Sequence, residues 1–210
     1  MKKPLAGIIN LSTNNILSIK RALEFIGFDT VLINKDITIK KFDLMVLPGV
    51  GAFSEAMNTL NKTKLIKTID ETLNKNKKFL CICLGMQLLF EECREFTKTK
   101  GIGFFDGKVE SFSDFSVHKK TLIGWNKVNF NEKFFKDNQE FNLLQNKAYY
   151  FVHSFFVNCK NKNIEYGSSV NGGLNYTSVV KKDNVTAFQF HPEKSGEHGL
   201  SLLKGVTKNI

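Results

Sequence analysis

The segment FLCICLGMQLLF, residues 79–90, decides the fold. Residues 79–83 are a continuous apolar run of strand length. Residues 84–93 then carry apolar side chains at helical spacing, with no polar cap residue at the start. A strand running directly into a helix is the unit from which parallel sheets are built. Cys83 stands at the junction, followed by Leu84 and Gly85. That is the form of a nucleophile elbow with Cys in the place of Ser. A sharp turn would expose the sulfur at the carboxyl edge of the sheet, and Gly85 would let the chain turn without a side-chain clash. The helix start would favour thiolate over thiol, with the Leu84 N–H where an oxyanion could form. A buried structural cysteine in a parallel strand fits the segment equally well. Cys81 and Cys83, two apart, are expected on one face of the strand.

Outward from this segment the first half repeats the same alternation. Strands are expected at 5–9, 30–33 and 43–47, with helices at 15–25 and at 53–73, the latter broken near Thr63. Ile16, Ile19, Leu23 and Ile26 share one face of the first helix, and Gly27 is a plausible C-cap. The second half is richer in strand signals, at 108–112, 126–130, 149–157, 177–181 and 186–190, and closes on a helix at 197–208. The expectation is one α/β domain over 1–210, with a central mixed, mostly parallel sheet flanked by helices in the flavodoxin-like manner.

Two further segments supply chemistry that Cys83 lacks alone. In TAFQFHPEKSG (186–196), His191 ends an apolar strand and Glu193 follows two residues later. A cysteine nucleophile needs a base, and the base needs an orienting partner. An ordinary strand-end turn would read the same by itself. In LMVLPGVGAF (44–53), a buried strand ends in Pro48-Gly49-Val50-Gly51. Two glycines flanking Val50 free the backbone to aim N–H groups into a site, as in an oxyanion hole, although a plain βα turn would also use them.

PGVGAF, CLGMQLLF, GWN (124–126), YFVHSF (150–155) and FHPEKSG occur in that order across nearly the whole chain. Together they resemble the class I glutamine amidotransferases, in particular the branch of glutaminase subunits that serve a separate (β/α)8-barrel cyclase in histidine biosynthesis. The resemblance implies Cys83 as nucleophile, His191 as base and Glu193 as orienting acid. It implies an oxyanion hole from Val50, Gly51 and Leu84. Substrate contacts would come from Gly49, Gln87, Glu95, His153, Ser154 and Phe155, with Glu95 on the amino group and 153–155 lining the carboxylate. Asn15, Trp125 and Lys194 would face the synthase. L-Glutamine would be cut to glutamate and ammonia. The ammonia would pass through the barrel partner to make imidazole glycerol phosphate and AICAR, with no metal or organic cofactor in this subunit. The family holds its oxyanion loop unready until the partner binds its own ligand.

Composition narrows the alternatives. Hydrophobic residues make up 42%, which suits a globular core. The apolar stretch after MKKP stops at Asn10, too short for a signal peptide, and no run approaches the roughly 20 apolar residues that span a bilayer. A cytoplasmic protein with no membrane partner is expected. Cys81, Cys83, Cys93 and Cys159 form neither a disulfide framework nor a metal-ligand spacing. The net charge is +10, but only Arg21 and Arg94 are arginine, the lysines are scattered, and no nucleic-acid motif is present.

The chain departs from the family's pattern in three places. Asn10–Ile19 replaces the usual first motif and keeps only Asn15 and Ser18; Thr121-Leu122 stands where Pro-His usually precedes the residue before GWN; Cys81 replaces a glycine. These changes spare the triad but touch surfaces that sense a partner. A paralogous subunit feeding ammonia to a sugar amidotransferase therefore fits the same sequence, as does, from another class, a non-catalytic sensor built on a Cys elbow.

Overall fold

The computed structural model describes residues 2–11, 16–136, 144–208 and 210. Asn15 lies outside them. Strands β1 (Leu5–Ile9), β3 (Leu44–Leu47) and β4 (Phe79–Ile82) are apolar and almost wholly buried, the pattern of strands covered on both faces. They pair in parallel with each other, with the edge strand β2 (Asp29–Ile33) and with β14 (Val185–Phe188), in the order β2-β1-β3-β4-β14. The sheet continues through antiparallel pairings from β14 to β13 (Leu174–Lys182), β11 (Phe155–Cys159) and β7 (Phe105–Ser111). It ends on β5 (Phe90–Arg94), parallel to β7, and β6 (Lys98–Lys100). Off this path, β12 (Glu165–Asn171) pairs with β13 and with β9 (Asn129–Phe130). A separate antiparallel pair, β8 (Leu122–Lys127) with β10 (Ala148–His153), completes the strands described.

Helices cover both faces. On one face α2 (Phe53–Lys62) and α3 (Leu65–Asn74) insert Phe53, Leu60, Leu65 and Ile69 into the core with Met45, Leu47 and Cys81. On the other, α1 (Ile16–Phe25) and α6 (Gly196–Val206) bring Ile19, Leu23, Leu202 and Leu203 against Ile8, Val46, Leu80 and Phe188. The short α4 (Leu84–Leu88) and α5 (Glu132–Lys136) complete the α-helices described. The break in the long helical stretch falls at Lys64, which takes a left-handed φ of 60°. Gly27, at φ 109°, ends α1 as expected.

Three expectations are corrected. Residues 84–93 do not form one helix: α4 stops at Leu88 and Phe90–Arg94 is strand β5. The carbonyls of Leu88, Leu89 and Phe90 accept hydrogen bonds from Ile102, Phe105 and Gly103, not from a following helical turn. A Cβ at Gly101 would lie 2.1 Å from the Phe90 carbonyl, so glycine there permits the approach. A tertiary partner thus overrides the local period. Second, residues 149–157 are not one strand. The chain breaks at Ser154 between β10 and β11, which belong to different sheets, and the Ser154 carbonyl turns to accept from Phe112 N–H.

Third, Cys81 and Cys83 do not share a face. Cys81 packs with the α2/α3 layer and Cys83 with the α1/α6 layer. Strand alternation holds only while the chain stays extended, and Cys83 has φ 54° and ψ −112°. The elbow itself throws its side chain across.

Candidate active site

The topology brings three loops to one place. In register, Leu47 of β3 and Ala187 of β14 both lie opposite Cys81 of β4. All three strands are parallel, so the segments leaving them emerge side by side at the carboxyl edge, where open α/β sheets hold their ligands. Those segments carry Gly49–Gly51, Cys83 and His191.

Cys83 is the pivot. Its backbone conformation is one that non-glycine residues rarely adopt and that gathers at functional sites. Backbone bonds fix it: Cys83 N–H donates to Phe188 O at 2.7 Å, and Cys83 O accepts from Met86 and Gln87 at 3.0 and 3.2 Å. Gly85 serves by lacking a side chain, not by an unusual φ: a Cβ would sit 1.8 Å from the Leu47 carbonyl. The Cys83 sulfur lies 3.9 Å from Val152 O and 3.8 Å from Gln189 Nε2.

His191 is fully buried. Its N–H donates to Tyr150 O at 2.8 Å, and its own carbonyl accepts from Ser195 Oγ at 2.7 Å, while Ser195 Oγ also takes the Tyr150 N–H at 3.0 Å. Strand β10 and the start of α6 thus clamp the imidazole's backbone. Nδ1 meets Glu193 Oε1 at 2.8 Å, with both side chains out of solvent. Burial pulls the imidazole toward the neutral form. The charge of Cys83, its hydrogen bond to the ring, and the Glu193 carboxylate outweigh it and raise His191 to about 10. The sulfur, imidazole and carboxylate form one coupled chain.

Beside Cys83 opens a cavity of about 370 Å³ bounded by Val50, Gly51, Leu84, Gln87, Glu95 and residues 152–155, with Phe53, Cys93 and Thr121 in its wall. Glu95 Oε2 accepts the Phe53 N–H at 2.7 Å, which fixes the carboxylate at the start of α2. Gln87 donates from Nε2 to Phe155 O at 2.8 Å and to Gln189 Oε1 at 3.1 Å. His153 Nδ1–H donates to Phe155 O at 2.7 Å. Burial lowers its imidazole to about 4 against that hydrogen bond, so the ring is neutral at neutral pH. Its Nε2 meets no hydrogen-bond partner among the described residues. Ser154 Oγ pairs with Thr121 Oγ1 at 2.8 Å, so the threonine that replaces the family's proline sits in the site.

The loop 48–51 stands in a distinct state. Leu84 N–H donates to Gly49 O at 3.3 Å. The Gly49 carbonyl and the Val50 N–H belong to one planar peptide and point opposite ways. With Gly49 O on Leu84, the Val50 N–H faces away from that donor.

Trp125 and Lys194 share a surface: the Trp125 ring lies 6.2 Å from Tyr150, and Lys194 Nζ lies 5.9 Å from the same ring. Trp125 is 57% exposed. The structure thus places Val50, Gly51, Cys83, Leu84, Gln87, Glu95 and 153–155 around one cavity, sets Gly49 on Leu84 and pairs His191 with Glu193, while Trp125 and Lys194 meet separately at Tyr150; Asn15 lies outside the described residues. Sequence reading missed Gln189, Thr121, Val152 and Cys93. Gln189 carried a local signal, a polar residue between Phe188 and Phe190 in an otherwise apolar strand end, and Thr121 stood out only as a departure from the family's pattern. Among the described residues no group of three His, Cys, Asp or Glu is placed to hold a metal, and no helix is long and apolar enough to cross a membrane.

Cys81 offers a control. It is wholly buried, and desolvation pushes its thiol well above the ordinary range. It faces away from the cavity, in the α2/α3 layer. Cys81→Ser is expected to lower stability by about 1–2 kcal/mol, from burying a hydroxyl, while Cys83 keeps its reactivity toward iodoacetamide within about twofold of the parent. Thermal melts and alkylation rates check this; a collapse of Cys83 reactivity on changing Cys81 would refute it.

A nucleophile elbow, a buried His–Glu pair and a glycine loop at adjacent strand ends are the equipment of a class I glutamine amidotransferase, and the family model "Glutamine amidotransferase class-I" matches residues 7–208: the chain belongs to that family. Within it, full-length similarity runs to proteins named imidazole glycerol phosphate synthase subunit HisH. One from Caldanaerobacter subterraneus is 41% identical over 98% of both chains, and one from Methanocaldococcus jannaschii is 41% identical over 97% of this chain and 99% of its own. A protein named subunit HisH 2, from Vibrio vulnificus, is 39% identical over 94% and 91%. Among solved structures, "Structure of PurLQS from Thermotoga maritima" superposes with a TM-score of 0.75 at 19% identity, covering 98% of each chain. A "glutamine amidotransferase" superposes at 0.71 and 13%, covering 98% and 99%. At those identities the likeness is one of fold.

Proposed function

We propose that this chain is the glutaminase subunit of an imidazole glycerol phosphate synthase, working in the cytoplasm with a (β/α)8-barrel partner. The observation that carries the reading is the convergence of Cys83, the His191–Glu193 pair and the 48–51 loop at the ends of three adjacent parallel strands, with a cavity opening beside Cys83. The full-length similarity to HisH subunits favours the histidine-pathway acceptor over a sugar acceptor.

The cavity suits free L-glutamine, a small substrate with a charge at one end and a neutral amide at the other. Glu95 faces the α-ammonium. Both hydrogens of the Gln87 amide are committed to Phe155 O and Gln189 Oε1, so Gln87 presents its own Oε1 to the substrate as an acceptor. The 153–155 turn and Gly49 border the α-carboxylate. The side-chain amide then reaches Cys83. The thiolate attacks the amide carbon, the C–S bond forms, and the carbonyl π electrons move to oxygen. Leu84, Val50 and Gly51 N–H groups hold that oxyanion. Collapse breaks the C–N bond as the His191 imidazolium gives its proton to the leaving nitrogen, freeing ammonia. Water, deprotonated by His191, attacks the thioester and releases glutamate. Glu193 keeps the ring in one tautomer and stabilises its charged form.

In the described arrangement the Leu84 N–H is taken by Gly49 O, and Val50 N–H is turned away. Rotating the Gly49–Val50 peptide replaces a carbonyl with a donor and frees Leu84. The partner supplies the bias for that rotation, docking on the Trp125–Tyr150–Lys194 surface beside His191. The isolated chain should therefore turn glutamine over slowly, and adding the barrel subunit with its ligand should raise the rate by about 10²-fold or more, the worth of an oxyanion donor. Rapid basal turnover without a partner would overturn this account. Absence of a stable complex with a histidine-pathway barrel subunit would move the acceptor elsewhere.

A further inference from the structure

Gln189 is a polar side chain with no exposed surface, beside the nucleophile. Its main chain is pinned, since Gln189 N–H donates to Ser178 O at 2.9 Å. Its chain neighbours Phe188 and Phe190 are buried in the apolar layer covered by α1 and α6. Its side chain reaches two groups, Gln87 at 3.1 Å and the Cys83 sulfur at 3.8 Å. The ends of an amide are alike in shape, so which end faces the sulfur has to follow from the bonding. Phe155 O can only accept, so the Gln87 end 2.8 Å from it is the NH₂ group. The second hydrogen of that NH₂ needs an acceptor, which Gln189 supplies as Oε1. Gln189 must then turn its own NH₂ toward Cys83. Reversing Gln189 would set two NH₂ groups face to face and place a carbonyl oxygen on the sulfur.

Among the described residues the sulfur also meets the Val152 carbonyl, at 3.9 Å. It accepts from a thiol and repels a thiolate. Among the described residues the amide of Gln189 is thus, with His191, a donor placed to meet the sulfur once it is charged. We propose that Gln189 is a positioning residue that holds the Cys83 sulfur as thiolate, and that Gln87, while lining the substrate cavity, fixes the end Gln189 presents. The inference rests on the glutaminase reading of this site. It adds a consequence for Gln87: a change there disturbs the nucleophile as well as the substrate.

The test uses Gln189→Met, which keeps length and removes the donor, and Gln189→Glu, which keeps shape and places an acceptor on the sulfur. Turnover is measured in the complex with the barrel partner, and Cys83 alkylation by iodoacetamide is followed against pH on the chain alone. Gln189→Met should lower glutamine-dependent kcat by roughly ten- to a hundredfold, the range for a hydrogen bond to a charged group. KM should move less than about threefold, ammonia-dependent synthesis should hold, and alkylation should require a higher pH. Gln189→Glu should be slower still at high pH and recover as pH falls and its carboxyl protonates. Should Gln189→Met fail to fold, the pH response of Gln189→Glu decides. Parent-like kcat together with an unmoved alkylation profile in the folded variants overturns the proposal. If the parent itself shows no Cys83-dependent use of glutamine, yet alkylation still depends on residue 189, the glutaminase reading fails and the sulfur–amide contact stands.

Discussion

Replacing Cys83 with alanine is expected to remove glutamine-dependent synthesis by about 10⁴-fold or more, while ammonia-dependent synthesis by the partner stays near the parent rate. The two halves of that result have different origins. Glutamine-dependent synthesis needs the sulfur because the C–N bond breaks only after the C–S bond forms. His191 and the oxyanion donors cannot replace it, since their task is to move a proton and hold a charge on an intermediate that the sulfur creates. The ammonia-dependent rate belongs to the proposed barrel partner. It asks of this chain only that it fold and dock. The substitution keeps the backbone, although alanine at φ 54° gains nothing to offset the strain that cysteine bears there. The proposed docking surface at Trp125 and Lys194 lies around Tyr150 and is untouched. Parallel assays with glutamine and with ammonium salt, on one preparation of the complex, give both numbers. Loss of both activities would mean that Cys83 supports the partner's chemistry or the assembly, and the division of labour would fail.

How much of this was legible in the sequence depended on whether a local signal had a distant competitor. β1, β3 and β4 were readable because an apolar run buried on both faces leaves few alternatives. The break between α2 and α3 was expected near Thr63 and falls at Lys64. Residues 84–93 misled because their apolar spacing fits a helix, while the glycine that permits the competing strand stands at 101 and discloses nothing locally. The 149–157 run misled for a related reason: both halves are true strands, and only the course of the chain at Ser154 assigns them to different sheets. Of the site, the residues proposed to do the chemistry were visible because nucleophile, base and acid have few substitutes in type. What supports them was not. Gln189 gains meaning only from being near Cys83 and Gln87, and Thr121 only from its bond to Ser154. Those are through-space relations between positions far apart in the chain. The face on which Cys83 sits was misread because alternation assumes extended backbone, and the elbow exists to break it.

That geometry sets the second large effect. Gly85→Ala is expected to destabilise the protein by at least about 3 kcal/mol and to lower glutamine turnover in whatever fraction folds. The added methyl carbon would stand 1.8 Å from the Leu47 carbonyl oxygen and 2.8 Å from its carbon. Neither atom can yield cheaply, because both are backbone in the middle of the parallel run. Leu47 is in register with Cys81, so pushing β3 away strains the β3–β4 ladder. Pushing α4 away instead moves Leu84, whose N–H is the proposed oxyanion donor, and loosens the Met86 and Gln87 bonds that hold the Cys83 carbonyl. Either relaxation reaches the nucleophile, so stability and kcat should fall together, with the turnover loss exceeding what the unfolded fraction explains. Denaturant unfolding alongside active-site titration with a glutamine analogue separates the two. A variant that melts like the parent and labels Cys83 at the parent rate would show that the strand and the elbow helix are not in the close contact from which the site is built.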